Sequence, residues 1–160
     1  MTCTGAVNSD AATLEDIIAW GRGIDVFNED GDPTDDSRDW MMGDPMHSRP
    51  LVVNYGDFGA WSKDNPLIRL FFGTNDGWFH MVENTTSGGA ESGEEVFGFM
   101  PLEVMPQQQR LVNNTVTTIE PHPYGVDGEA VAYASADPVT PGRIWMSSAS
   151  MVKPGGGRPT

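Results

Sequence analysis

Short apolar runs alternate with polar turn residues through the middle of the chain. The runs are rich in β-branched and aromatic side chains, and Gly, Pro, Asn or Asp stand at their ends. Runs of this length and composition are typical of β-strands. The pattern therefore predicts one complete four-stranded antiparallel sheet over residues 50–100, of the size of a single β-propeller blade. Its strands are expected at residues 50–55, 67–72, 78–82 and 95–99.

The sharpest turn signal lies between the second and third of these strands, at Asn75, Asp76 and Gly77. Asn and Asp side chains bond their own backbone and tolerate left-handed geometry, and Gly adopts positive φ freely. The chain is therefore predicted to reverse at these three residues. His80 follows on the return strand, and the period of two puts it on the same face as Trp78.

His80 has no Ser, Cys or Asp spaced beside it as a catalytic partner would be. We therefore interpret it as a half-buried histidine that is hydrogen-bonded to a neighbouring strand or turn. Asp44, His47 and Ser48 are the residue types of a hydrolase triad, but triad members normally converge from separate segments. A local turn stitched by the side chains of Asp44 and Ser48 is the preferred interpretation, and no catalytic residue is predicted.

Helical patterns flank the predicted sheet on both sides. Residues 13–20 are expected to form a short helix that Thr13 caps, with acidic residues in its first turn. Residues 101–112 are expected to form two short helical turns, because Pro106 would break a single helix.

Two further strands are expected at residues 128–134 and 143–147, as the first half of a second blade. The predicted fold class is mainly β, a partial β-propeller of about one and a half blades. On this interpretation residues 1–160 belong to one propeller domain of a larger protein. Its parts are a lead-in helix and acidic loop (1–49), a complete blade (50–100), a helical crossover (101–125) and a truncated second blade (126–160).

Charge and composition narrow the possible partners. The 160 residues carry 9 Lys and Arg against 23 Asp and Glu, a formal net charge of −14. A field of this sign repels phosphate backbones, so nucleic acid is not expected as a partner. Cys3 is the single cysteine, which excludes an internal disulfide and any cysteine-based zinc or iron–sulfur site.

The two ends of the chain bear on its location. Residues 1–10 lack the basic and apolar regions of a secretory signal, and no run approaches the ~18 apolar residues of a membrane span. The chain stops directly after a strand-like run. We therefore expect it to be a piece of a longer exported protein without a membrane span of its own.

An acidic loop after the first helix is the candidate metal site. Oxygen-bearing side chains alternate along it, and hard oxygen ligands suit Ca²⁺. The loop is not an EF-hand, because acids are missing where that motif requires them. The alternative interpretation is a solvated acidic turn. The candidate ligands are Asn28, Asp30, Asp32, Thr34 and Asp36.

Five segments, taken in order, resemble the β-propeller of the type IV pilus tip-adhesin family (the PilY-type proteins). The residues that follow them, 102–111, resemble the family's helix containing Pro and Leu. The five segments are 43–44 (Gly-Asp), 47–50 (His-Ser-Arg-Pro), 73–80 (Gly-Thr-Asn-Asp-Gly-Trp-Phe-His), 93–101 (Gly-Glu to Pro) and 122–128 (His-Pro-Tyr-Gly-Val-Asp-Gly).

The resemblance implies a non-enzymatic module of a pilus tip-associated protein, which works in pilus assembly and surface attachment. Implied partners are other pilus assembly proteins or minor pilins and, through the full-length protein, a host or abiotic surface. The implied location is the pilus tip, cell surface, outer membrane or periplasm. Two alternatives stay open: a quinoprotein dehydrogenase-like propeller that uses pyrroloquinoline quinone, and a scaffold propeller for outer-membrane assembly. Against the first, Phe97 or Phe99 stands where such enzymes carry a docking Trp.

Overall fold

The computed structural model describes residues 13–32, 34, 37–113, 124–126, 128–134 and 144–148. Within these ranges the chain forms two short α-helices and six β-strands. In chain order they are α1 Leu14–Gly21, β1 Leu51–Gly56, β2 Leu67–Gly73, β3 Phe79–Glu83, β4 Glu95–Phe99, α2 Met105–Val112, β5 Ala130–Ala134 and β6 Ile144–Ser148.

Strands β1 to β4 form one antiparallel sheet in the order β1-β2-β3-β4. The sheet predicted over residues 50–100 is thereby confirmed, and the chain reverses between β2 and β3 at Asn75, Asp76 and Gly77 as expected. Strand β3 begins one residue later than predicted. The reason is that the carbonyl of Trp78 accepts a hydrogen bond from the Thr74 amide at 2.9 Å, which makes Trp78 part of the turn.

The sheet buries one of its faces more completely than the other. Phe71 in β2 has no exposed surface, and its ring stacks on that of Phe79 with 6.3 Å between centroids. Leu67 and Val53 are buried on the same face. Leu67, Arg69 and Phe71 follow one another at every second position of β2, and Val53 pairs with Arg69. Truncating a buried Phe of this kind costs about 3–5 kcal/mol, so Phe71 anchors the sheet.

Helix α1 begins as its sequence predicts. The Thr13 hydroxyl accepts a hydrogen bond from the Asp16 amide at 3.2 Å, and the Asp16 carboxylate accepts one from the Thr13 amide at 2.9 Å. This reciprocal pair is a capping box. The helix directs Trp20 into the protein, where the side chain is buried.

Helix α2 corrects the expectation of two separate helical turns over residues 101–112. A turn at 102–104 leads into one continuous helix, Met105–Val112. Pro106 lies in the first turn of that helix, where its missing N–H would have had no partner within the helix. The proline therefore starts the helix instead of breaking it.

Strands β5 and β6 pair antiparallel as a second, two-stranded sheet. They correspond to the strands predicted at residues 128–134 and 143–147, but each begins later in the sequence than predicted. Strand β5 lies beside β1 and β2. The fold is thus mainly β, with a four-stranded antiparallel sheet and two short helices. No helix in the described ranges has the length and apolar character needed to cross a membrane.

Candidate functional site

The turn between β2 and β3 is a meeting point for distant parts of the chain. We call residues 74–78 the β2–β3 corner. From the segment before β1, the Gly43 amide donates to the Asp76 carboxylate at 2.9 Å, and the Asp44 amide donates to the Asn75 side-chain oxygen at 2.9 Å. The Asn75 amide in turn donates to the Asp44 carbonyl at 3.1 Å. The side chains of Asn75 and Asp76 therefore bind the backbone of a segment that lies about thirty positions earlier in the sequence.

The other side of the corner holds the chain that leads to β5. The Gly125 amide donates to the Asn75 carbonyl at 2.9 Å, and the Val126 amide donates to the Thr74 carbonyl at 3.2 Å. The approach is so close that a Cβ atom on Gly125 would lie 2.2 Å from the Gly77 Cα. Glycine at position 125 is therefore a packing requirement of this contact.

Helix α2 closes the corner through one side chain. Gln108, which is buried, donates from Nε2 to the Asp76 carbonyl. A Cβ atom on Gly21, at the end of α1, would lie 3.1 Å from the Oε1 atom of Gln108. The two helices thus meet the sheet at the same corner.

The contacts of Ser48 differ from the predicted local turn, in which the side chains of Asp44 and Ser48 were expected to form hydrogen bonds. The Ser48 hydroxyl, in a residue only 4% exposed, accepts a hydrogen bond from the Gly73 amide at 2.8 Å. Asp44 contributes its backbone to the corner. The two residues therefore fasten the lead-in segment to the end of β2 and to the corner. Sequence spacing could not indicate a contact over this separation.

His80 lies on β3 beside the corner and is 5% exposed. Its Nε2 atom lies 3.0 Å from the Thr74 hydroxyl, and its Nδ1 atom lies 2.8 Å from Glu95 Oε1 on β4. The Thr74 hydroxyl also donates to the Asp76 carboxylate. The predicted hydrogen bonds of His80 to a neighbouring strand or turn are confirmed, but the side chain is buried and not half-buried as expected.

The heavy-atom geometry constrains the protons of this network. The Thr74 hydroxyl has one proton and two acceptors, the Asp76 carboxylate and, at 3.2 Å, the Trp78 carbonyl. His80 Nε2 faces the Thr74 hydroxyl oxygen and Nδ1 faces Glu95 Oε1, and the tautomer of the imidazole sets which nitrogen donates. Asp76, Thr74, His80 and Glu95 form one continuous chain of hydrogen bonds from the corner to the last strand of the sheet.

Sequence reasoning missed Thr74 and Glu95 as the partners of His80. The reason for Glu95 is a bulge: β3 and β4 pair His80 with Gly98 and Met81 with Phe97, but Val82 with Glu95. Val96 is the extra residue, and it moves Glu95 onto the sheet face that carries His80. In a regular register Glu95 would point to the opposite face.

Threonine, histidine and glutamate in this order are the residue types of a nucleophile, a base and an orienting acid. The structure gives them another role. Thr74 has no exposed surface, and its hydroxyl proton already has acceptors on Asp76 and Trp78, so a substrate has no access to the hydroxyl. The arrangement satisfies buried polar groups and fixes the corner to the sheet.

A cavity of about 670 Å³ lies over the His80 face of the sheet. Trp78, His80 and Val82 all line it. His80 and Val82, two residues apart on β3, share a sheet face. The end of α1 and the segment before the sheet contribute Arg22 and Met41 to the opposite wall. The charged and titratable side chains of the lining are Arg22 and the His80 and Glu95 pair, whose side chains already bond each other.

The acidic loop is closed at its base. Ile24 and Ser37 form an isolated antiparallel bridge, and the Arg38 guanidinium lies 3.6 Å from the centroid of the Trp20 ring. Glu29 accepts hydrogen bonds from Trp20 Nε1 and, at 3.2 Å, from Arg38 Nε. A cation–π contact and two charge-assisted hydrogen bonds therefore fix the ends of the loop to α1.

The predicted calcium ligands are turned partly toward their own backbone. Asp30 accepts from the Asp32 amide at 2.8 Å, and Asp32 accepts from the Thr34 amide at 2.9 Å and hydroxyl at 2.7 Å. These bonds from Thr34 lower the pKa of the Asp32 carboxyl. Asn28 adopts a positive φ of 52°, and Asp36 lies outside the described residues.

In the described part of the chain, no three His, Cys, Asp or Glu residues are grouped as a metal site would require. Asn28 and Thr34 are not among these residue types, and the loop is described only in part, so the calcium site of the sequence stays a prediction.

Comparisons with protein-family models, with curated proteins and with solved structures find no match for this chain.

Proposed function

We propose that this chain is part of a β-propeller in an exported protein of the type IV pilus, in which it acts as a non-enzymatic module of pilus assembly and surface attachment. The observation that carries the proposal is the meeting of its resemblance segments at one corner. Residues 43–44 and 125–126 bond the turn at 74–76, and Gln108 from the helical segment bonds Asp76.

This convergence gives the family pattern a physical reason. The segments that resemble the PilY-type proteins are far apart in sequence. Segments 43–44 and 122–128 and the helical segment bond the corner itself, while Ser48 and Glu95 bond its neighbours Gly73 and His80. Such a corner joins a sheet, the segment before it and the strand after it into one rigid unit. A rigid unit whose loops stay exposed suits the presentation of a binding surface.

The order of the strands also supports the proposal. A meander of four antiparallel strands, followed by a strand that starts beside the first two, is the arrangement expected for consecutive propeller blades. The inaccessible Thr74 hydroxyl supports a non-enzymatic role. Weak Ca²⁺ binding by the acidic loop is part of the same proposal.

Capture of partners tests the proposal. The full-length parent protein would be tagged and cross-linked in the encoding cell, and the bound proteins identified by mass spectrometry. Pilin-like subunits should be enriched over a matched exported protein that carries the same tag. Enrichment of outer-membrane assembly proteins without pilins would instead favour the scaffold alternative and contradict the proposal.

A further inference from the structure

Strand β4 forms one edge of the four-stranded sheet. It pairs with β3 on its inner side, and within the described residues no strand pairs with its outer side. Its side chains are open to solvent: Val96, Phe97 and Phe99 are 40%, 53% and 52% exposed. An apolar edge strand of this kind leaves a row of backbone donors and acceptors available for another strand.

The protection of this edge is confined to the first two residues of β4. Native edges are blunted by Lys, by Pro, by bulges or by inward-pointing charges. Glu95 and the bulge at Val96 are features of this kind, whereas residues 97–99, Phe-Gly-Phe, contain none of them. The bulge at Val96 lies at the beginning of the strand and leaves Phe97 and Phe99 in regular pairing with Met81 and Phe79.

These pairings make an apolar strip that continues the core. Phe97 lies opposite Met81, Phe99 lies opposite Phe79, and Phe79 stacks on the buried Phe71. The strip therefore runs from the centre of the sheet to its edge, where the last two rings are half exposed. A further strand with apolar side chains on this face would extend the packing.

Charge indicates what kind of strand fits. Residues 70–109 contain no Lys or Arg. The same stretch contains six acidic residues, namely Asp76, Glu83, Glu91, Glu94, Glu95 and Glu103. Glu91, Glu94 and Glu95 lie just before β4 or at its first residue, and the Glu95 side chain is 51% exposed. Glu83 is paired with Arg69 at 3.5 Å, so the negative charge beside the apolar strip comes from the exposed residues Glu91, Glu94 and Glu95.

We propose that the outer edge of β4 is a docking site for an extended, basic segment of a partner protein, which adds to the sheet as a fifth strand. Main-chain hydrogen bonds to β4 supply the attachment. Apolar residues at every second position pack beside Phe97 and Phe99, and Lys or Arg at the intervening positions face the carboxylates near Glu95. The proposal goes beyond the pilus function and does not depend on it.

A second copy of the chain fits this edge less well than a basic segment. Each copy has a formal net charge of −14 and would bring its own Glu94 and Glu95 to the interface. Like charges across such a contact are unfavourable, whereas a basic segment is attracted from a distance.

Fluorescence anisotropy tests the proposal with labelled peptides of about six residues, the usual length of a strand. One peptide alternates Lys and Val, a second alternates Glu and Val, and a third is the Lys–Val peptide with N-methyl groups on alternate backbone nitrogens. The Lys–Val peptide should bind the whole chain saturably. The Glu–Val and N-methylated peptides should bind at least about tenfold more weakly, because the first is repelled and the second cannot complete the ladder.

Variants locate the binding edge. Phe97→Lys and Phe99→Lys should each weaken binding of the Lys–Val peptide about tenfold or more, since both place a cation in the strip. Val52→Lys is the matched control, because Val52 is 60% exposed on β1 at the opposite edge of the sheet. It should leave binding unchanged, and circular dichroism should show that all three variants are folded.

Three results would overturn the proposal. Equal binding of the N-methylated peptide would mean attraction to net charge without strand addition. Loss of binding in Val52→Lys with retention in both Phe variants would place the site on β1. A chain that is dimeric on a sizing column, and monomeric after Phe97→Lys, would mean that a second copy occupies the edge.

Discussion

His80 on β3 and Glu95 on β4 lie 2.8 Å apart, from Nδ1 to Oε1, although the regular pairing of these strands would put them on opposite faces of the sheet. The bulge at Val96 brings them together. Through Thr74 the pair is linked to Asp76, whose carboxylate also holds the Gly43 amide. The last strand of the sheet is thereby connected to the segment that precedes the first.

Thr74→Val should test this connection. The substitution keeps the shape of the side chain but leaves His80 Nε2 and the Asp76 carboxylate without their shared partner. Unsatisfied buried groups of this kind cost about 1–3 kcal/mol, and urea denaturation should show a loss of that size in the free energy of unfolding. Ser87→Ala, which removes a hydroxyl at an exposed position, is the control and should stay within about 0.5 kcal/mol of the parent. Equal losses in both variants would contradict the role of the network.

Gly125→Ala should test the close approach at the corner. The added Cβ atom would lie 2.2 Å from the Gly77 Cα, so the two segments must separate. Overpacking of this kind costs about 1–3 kcal/mol, which thermal denaturation followed by circular dichroism would report as a lower Tm. Gly88→Ala is the matched control, because the nearest atom to its Cβ is 3.8 Å away. If both variants melt like the parent, the corner is not a tight contact.

The partly buried phenol of Tyr55 should make the free energy of unfolding fall at alkaline pH. Burial raises the pKa of the Tyr55 phenol, while the charge of Arg69 opposes part of this shift. Because the pKa of the phenol is higher in the folded state, the contribution of Tyr55 to the free energy of unfolding is complete below the unfolded-state pKa of about 10. That contribution is lost as the pH rises through the folded-state pKa. Urea midpoints should therefore fall above about pH 10 in the parent, and less steeply in Tyr55→Phe. Parallel curves for the two proteins would exclude this origin.

The acidic loop predicts weak calcium binding, with a Kd on the order of 10⁻⁴–10⁻³ M, because no bidentate acid of the EF-hand type completes the site. Calorimetry with millimolar Ca²⁺ should give a signal for the parent and none for an Asp30→Ala, Asp32→Ala double variant. A double variant at Asp39 and Asp57, which removes the same charge outside the loop, should still bind. Flat traces for the parent would mean a solvated turn, and a signal that survives in the first variant would place the site elsewhere.

Local chemistry explains which parts of the fold could be predicted from sequence. The reversal at Asn75 to Gly77 closes through local bonds, from the Gly77 amide to the Thr74 carbonyl and from the Trp78 amide to the Asp76 carboxylate. The cap at Thr13 is likewise a bond to backbone three positions away. Pro106 is ambiguous in sequence, because a proline either starts or ends a helix and its position relative to the first turn decides which.

The partners of His80 could not be predicted, because they depend on strand register. One extra residue at Val96 changes the face on which Glu95 lies, and nothing in residues 93–99 marks the bulge. The reach of Ser48 to Gly73 is likewise set by the packing of two segments. Long-range contacts of this kind follow from the whole fold.

The most direct test of the pilus proposal is to count surface pili by electron microscopy, and to measure attachment, after deletion of the parent gene in the encoding cell. The account predicts that deletion removes both. The parent gene and its Lys63→Ala variant, altered at an exposed position, should restore them, whereas an Asn75→Ala, Asp76→Ala variant with a broken corner should not. Normal piliation and attachment in the deletion strain would contradict the proposed function.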